Sequence, residues 1–218
     1  MLKTVSFLKK IKANNNRDWF EKNKNSYLEA KEEHEIFIDK IIKGVAKFDK
    51  KISPDMKAKD CVFRIYKDVR FSKDKTPYKN NFGASINPGG KKSLVAGYYL
   101  HIEPGASFLA GGVYMPEAEM LNAIRQEIDY NPDPFFKILN SISFKKYFKG
   151  LDDEGKLKTA PKGFDKEHPH LEILKNKHFL VSYPLSDKQL NEKDIEKTIV
   201  AGFRAMNPFL EYLRIATS

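Results

Sequence analysis

Arg64, Lys67, Asp68 and Arg70 follow one another within a short stretch of the chain, and Lys75 and Tyr78 come directly after. Arginine presents a planar fork that matches carboxylate or phosphate oxygens and keeps its charge when partly buried. Side chains alternate faces along extended backbone. A strand over 61–71 therefore puts Arg64, Tyr66, Asp68 and Arg70 on one side, and Cys61, Phe63, Ile65, Val69 and Phe71 on the other. Two guanidinium groups then flank one carboxylate, and Asp68 orients the forks. Lys67 falls on the apolar side, which predicts a bulge or a strand end at that point. Asp74-Lys75-Thr76-Pro77-Tyr78 reads as a rigid turn that brings further cations and a phenol close. This set suits the gripping of a small anionic ligand, phosphorylated or carboxylated. Arg64, Lys67, Arg70, Lys75 and Tyr78 are the expected ligand-binding residues, and Asp68 is the expected orienting carboxylate and a catalytic candidate.

A second group lies further on. Tyr99, His101 and Glu103 share one face of an expected strand, and Tyr98, Leu100 and Ile102 share the other. His101 and Glu103, two residues apart, suit a general acid/base pair or two metal ligands, against the plainer reading of a histidine hydrogen-bonded within a sheet. The sharper expectation is that this face meets the Arg64/Asp68/Arg70 face. His168-Pro169-His170 offers two imidazoles, but nothing at recognisable spacing completes a metal site, and Pro169 reads as shaping a loop. No metal is assigned. Neither the phosphate-loop nor the dinucleotide pattern occurs, so no cofactor is named. Gly111-Gly112 marks a bulge or a close backbone approach. Trp19-Phe20, Met115, Met120 and Met206 read as core.

Charge sharpens the picture. The 218 residues carry 39 basic and 29 acidic side chains, a formal net charge of +10. Residues 57–92 hold ten basic residues against three acidic ones, so +7 of that excess is local. Two alternatives to a small-ligand site follow. The segment, with Tyr66, Phe71 and Tyr78 interleaved, suits a nucleic-acid-binding surface. Equally, the Arg–Asp ladder suits a structural or interaction domain in which it serves only the fold. Whether bonds are broken is left open at this level. A single cysteine, Cys61, excludes an intramolecular disulfide framework and cysteine-rich zinc modules. No apolar run approaches the roughly 20 residues that span a bilayer, and lysines interrupt the N-terminal segment before a signal-peptide core forms. A cytoplasmic protein without membrane partners is expected.

The elements that must hold these residues come in blocks. Thr4 is expected to cap a first helix carrying Phe7, Leu8 and Ile11, and Asn16 a second. A longer helix from about Ser26 places Phe37, Ile38, Ile41, Ile42, Val45 and Phe48 on one stripe. Period-two patterning then takes over at 61–71, 82–86, 94–103 and 108–114, with Pro104-Gly105 as a hairpin connection. Helices return after Met115, with Pro116 at a first helical position and Asn131-Pro132 at a boundary. Residues 150–170 read as a long surface loop, 178–183 as a late strand, and Ser186 with Gln189 as a capping box. A final helix follows, interrupted at Pro208. Helices, strands, then helices is the order of an α+β fold: one domain over 1–218, a mainly antiparallel sheet of four or more strands, flanked by N-terminal and C-terminal helices.

The stretch Arg64-Ile-Tyr-Lys67-Asp68-Val-Arg70-Phe71-Ser-Lys-Asp74-Lys75-Thr-Pro-Tyr78 resembles the signature of the bacterial family catalogued as domain of unknown function 2461, Arg-x-x-Arg-Asp-x-Arg-Phe-x-x-x-Lys-x-x-Tyr. The resemblance extends to Asn15-Asn16-Arg17-Asp18-Trp19-Phe20, to Tyr99-Leu-His101-Ile-Glu103-Pro104-Gly105 and to His168-Pro169, and so covers nearly the whole chain. Lys67 stands where the signature has arginine, which keeps the charge and loses the fork. The resemblance implies a single-domain bacterial protein and supplies no mechanism.

Overall fold

A computed structural model describes residues 1–70, 72–153 and 155–218. Its helices are α1 (Leu2–Ala13), α2 (Arg17–Lys22), α3 (Lys24–Ala46), α4 (Ala58–Cys61), α5 (Ala118–Tyr130), α6 (Pro132–Asn140), α7 (Ile142–Lys145), α8 (Leu171–Leu174), α9 (Asp187–Leu190) and α10 (Ile195–Ala216). The strands are β1 (Phe82–Ile86), β2 (Gly97–Ile102), β3 (Ser107–Val113) and β4 (Phe179–Leu185). They form one antiparallel sheet in the order β1-β2-β3-β4, so the fold is α+β with helices at both ends of the chain. Chain contacts divide the protein into two compact units. The first comprises Met1–Ser93, Tyr99–Leu109 and Pro184–Ala201; the second comprises Leu94–Tyr98, Ala110–Tyr183 and Gly202–Ser218.

In the first unit, α1 buries Val5, Phe7, Leu8 and Ile11, and α3 buries Ala30, His34, Phe37, Ile38, Ile41, Ile42 and Val45. Phe7 stacks on Phe82 of β1 at 6.3 Å between centroids. Phe82, Ala84 and Ile86 of β1 and Leu100 and Ile102 of β2 are buried, while Ser85, Tyr99 and His101 are half-buried, so the alternation expected from the sequence sets which side chains reach the core. Thr4 is not a cap. The helix begins at Leu2, and Thr4 lies inside it with its hydroxyl donating to the Ala30 carbonyl at 3.1 Å. Glu33 of α3 does the capping from a distance, accepting the Thr4 backbone N–H at 2.8 Å where the N-terminal dipole favours a carboxylate. Asn16 caps α2 as its type predicts, accepting the Trp19 N–H at 2.9 Å.

In the second unit, Tyr98 packs on Phe203 of α10 at 5.0 Å and donates to Asn207 Oδ1 at 2.6 Å. Gly111 sits under Met206, and a side chain at Gly112 (φ +132°) would be driven into the Phe179 carbonyl of β4, so the paired glycines mark a close approach. Arg125 is buried and donates to the carbonyls of Leu174 (2.8 Å) and Asn176 (3.0 Å). Two expectations are corrected here. Pro208 lies inside α10 and does not end it: Phe203, Met206, Phe209, Leu210 and Leu213 are buried around it, and packing outweighs the lost backbone bond. Met115 is not core. It is exposed, with φ +48°, and its N–H donates to His178 Nδ1 at 3.1 Å. Residues 150–170 are irregular as expected, apart from Glu154, which lies outside the described residues.

Candidate functional site

The segment expected as a strand over 61–71 is not one of the strands of the sheet and meets β1 only at an isolated bridge among the described residues. Cys61 ends the short helix α4, and the chain beyond it makes two isolated bridges, Val62 with Ala84 and Tyr66 with Tyr78; Phe71 lies outside the described residues. The second bridge is a short ladder in which Lys67 N–H donates to the Pro77 carbonyl at 2.9 Å and Lys79 N–H to the Ile65 carbonyl at 2.8 Å. Ladder bonding stops at Lys67, as its position on the apolar side of the pattern foretold. Burial follows the alternation only in part: Cys61 and Ile65 are buried and Arg64, Tyr66, Asp68 and Arg70 are exposed, but Phe63, expected on the apolar side with them, is exposed as well.

Most of the charges expected to grip a ligand satisfy one another. Arg70 forks onto Asp68, Nε to Oδ1 at 3.0 Å and Nη2 to Oδ2 at 2.7 Å. That pair, with the added field of Arg64, holds the Asp68 carboxyl below the usual range. Lys67 Nζ donates to Asp74 Oδ2 and to Thr76 Oγ1, both at 2.7 Å; the bond from Lys67 first, then those from the Thr76 N–H and hydroxyl, hold the Asp74 carboxyl far below the usual range. Lys75 Nζ donates to the Val69 carbonyl at 3.0 Å. Tyr78 is buried, stacked on Phe20 at 4.1 Å, and Asn15 clamps its backbone: Asn15 Nδ2 donates to the Tyr78 carbonyl at 2.9 Å and Tyr78 N–H donates to Asn15 Oδ1 at 3.1 Å. Tyr78 is thus a packing residue in this arrangement.

Arg64 differs. Among the described residues it has neither an ion pair nor a hydrogen bond, and its neighbouring cation is Lys79. Lys79 also lacks a carboxylate partner among them. Its ammonium lies over the Phe63 ring at 5.6 Å, and burial first, the Arg64 charge second, lowers its pKa. Phe63 continues the arrangement onto the sheet, where its ring lies 6.4 Å from that of Tyr99.

Tyr99 leads into the second expected group. Tyr99 Oη lies 3.1 Å from His101 Nδ1, which also meets Asn81 Nδ2 at 3.4 Å, and His101 Nε2 lies 3.2 Å from Glu103 Oε2. The imidazole stacks on Phe108 at 4.7 Å and 12°. Glu103 Oε1 in turn receives Lys12 Nζ of α1 at 3.4 Å. His101 and Glu103, both half-buried, therefore stand in one hydrogen-bonded row along β2 and its end. The structure brings this row to Phe63, and Phe63 to Lys79 and Arg64; the Arg70–Asp68 and Lys67–Asp74 pairs belong to the loop that precedes Tyr78. Lys79, counted in the basic segment, carried no local sign of its place. Tyr99 was legible from its spacing to His101. The roles of Asn81, Phe63 and Lys12 depend on which strand or helix lies alongside, and no spacing within the chain reports that.

The family model described as "Conserved hypothetical protein (DUF2461)" matches residues 3–212, nearly the whole chain. The chain belongs to that family. No curated protein matches it, and no solved structure does. Among the described residues of this DUF2461 member, no three His, Cys, Asp or Glu side chains gather as a metal-ligand set, and no helix is long and apolar enough to cross a membrane.

Proposed function

We propose that the protein binds a small anionic ligand, phosphorylated or carboxylated, at Arg64 and Lys79, beside the row formed by Tyr99, His101 and Glu103. One observation supports this above the rest: among the described residues neither of two neighbouring cations is ion-paired with a carboxylate, while Lys67 and Arg70 nearby each have their own. Two like charges held together repel, and the repulsion is relieved when an anion takes up both. Lys79 is half-buried on an aromatic ring, so its attraction to an anion is less screened than that of a fully solvated lysine. Arg64 supplies the fork for two oxygens.

The test is ligand-induced thermal stabilisation against inorganic phosphate, nucleotides, sugar phosphates and dicarboxylates. A responding anion should raise the melting temperature of the wild type and of Arg70→Met, and should lose its effect in Arg64→Met and Lys79→Met. If no anion stabilises the protein, or if Arg64→Met responds like the wild type, the proposal fails.

A second reading, single-stranded nucleic acid, draws on one feature: Phe63 and Tyr66, on either side of Arg64, are 39% and 44% exposed, as stacking platforms for bases would be. Gel retardation of oligonucleotides at increasing salt tests it, and absence of retardation at low salt removes it.

A further inference from the structure

We infer that Tyr99 is a reactive hydroxyl, with His101 as its base and Glu103 orienting that base, so that the row on β2 is built for group transfer to or through the tyrosine. The hydrogen bonds decide the direction in which protons run. Asn81 Nδ2 can only donate, and it lies 3.4 Å from His101 Nδ1, while the Tyr99 hydroxyl, able to donate or accept, lies 3.1 Å from the same nitrogen. Nδ1 is therefore the unprotonated nitrogen and accepts from Tyr99. The ring proton sits on Nε2, where Glu103 Oε2 accepts it at 3.2 Å. Hydroxyl, imidazole and carboxylate thus stand in the order that activates a nucleophile, with each bond pointing the same way.

The surroundings fit that role. Phe108 stacks flat on the imidazole and fixes its plane, and Lys12 holds the far oxygen of Glu103 at 3.4 Å. Gly83 stands against the phenol: Tyr99 Oη fills the place a side chain there would take, 2.7 Å from where its first carbon would sit, so the glycine is what lets the hydroxyl lie beside His101. Burial raises the pKa of Tyr99, so an unassisted phenol there is a poorer nucleophile than an exposed one, and a neighbouring base has something to correct.

The step balances without a cofactor. Tyr99 Oη attacks an electrophilic acyl or phosphoryl centre and forms the new bond to oxygen. Its proton passes to His101 Nδ1, the bond to the leaving group breaks with its electron pair, and the imidazolium is held by Glu103. This inference stands apart from the anion proposal, because the row is complete without Arg64 and Lys79.

The test uses an uncharged arylsulfonyl fluoride as the probe: the tyrosine oxygen bonds to sulfur, fluoride leaves, and the proton goes to the base. Labelling of the full chain is followed by mass spectrometry of its peptides. Tyr99 should label at least tenfold faster at neutral pH than Tyr66 and Tyr130, which are 44% and 75% exposed. His101→Gln should remove that advantage while leaving Tyr66 and Tyr130 unchanged, and Tyr99 in it should react only in the alkaline range where an unassisted phenol ionises. Glu103→Gln should slow Tyr99 to a smaller degree. Labelling of the buried Tyr98 and Tyr212 reports any variant that has lost its fold. In that event the wild-type ranking and Glu103→Gln decide. Tyr99 labelling no faster than Tyr66, or keeping its rate without His101, overturns the inference.

Discussion

His34 makes stability depend on pH. It lies on α3 within the first unit, fully enclosed, with its ring 5.2 Å from that of Phe82. Among the described residues neither Nδ1 nor Nε2 has a hydrogen-bond partner. Burial pushes its pKa down to about 4, and the charge of Glu33 offsets only part of that. An imidazole in the unfolded chain titrates near 6.5, so between roughly pH 6.5 and 4 the unfolded chain binds a proton that the folded chain refuses. The contribution is complete above roughly pH 6.5 and falls as the pH drops, by up to about 1.4 kcal/mol per unit. By pH 5 the loss is about 2 kcal/mol, and by pH 4 about 3 kcal/mol. For a chain of this size 2 kcal/mol corresponds to roughly 4–8 °C in melting temperature. Thermal and urea denaturation of the wild type and His34→Phe at pH 8, 6 and 5 measures it. Phenylalanine keeps the ring and removes the titration, so its stability should fall less from pH 8 to 5 by that amount. Ordinary carboxylates titrate lower and enter both curves alike. Parallel curves for the two proteins would refute the reasoning.

Two further outcomes follow from packing. Cys61 is buried, with its Sγ 3.4 Å from Met56 Sδ, and burial raises its pKa to about 12; a thiol reagent at neutral pH should leave the native protein unmodified and react fully in urea. Gly112→Ala should cost at least about 3 kcal/mol, because the new methyl meets the Phe179 carbonyl and the backbone there is in a region that L-residues avoid. Urea denaturation checks it, and a loss below 1 kcal/mol would mean that β3 and β4 separate more easily than their approach implies.

Local rules were legible wherever the physics is local. The Asn16 cap needs only the Trp19 N–H three residues on, and the Ser186–Gln189 capping box closes within one turn. The strand 82–86 and the pairing of Tyr99, His101 and Glu103 on one side of β2 follow from period two. Thr4 was misread because the carboxylate that satisfies the start of α1 comes from Glu33, on another helix. Pro208 was misread because the side chains that α10 packs against around it, Tyr98 on Phe203 and Phe135 on Phe209, are remote in sequence.

The candidate site divides in the same way. Which residues carry charge and which share a strand face were set by the sequence, since ionisation and alternation are properties of neighbouring residues; exposure followed only in part, with Phe63 exposed on the side expected to be apolar and buried. Pairing was decided by tertiary structure alone. Arg70 turns back onto Asp68 and Lys67 onto Asp74, while Arg64 and Lys79 are drawn together by the ladder between Ile65 and Lys79. Phe63, Asn81 and Lys12 reach the Tyr99–His101–Glu103 row only because β1 and α1 lie beside β2. Charge is written residue by residue; whether a charge is spent on a partner or left for a ligand depends on distances that only the folded chain defines.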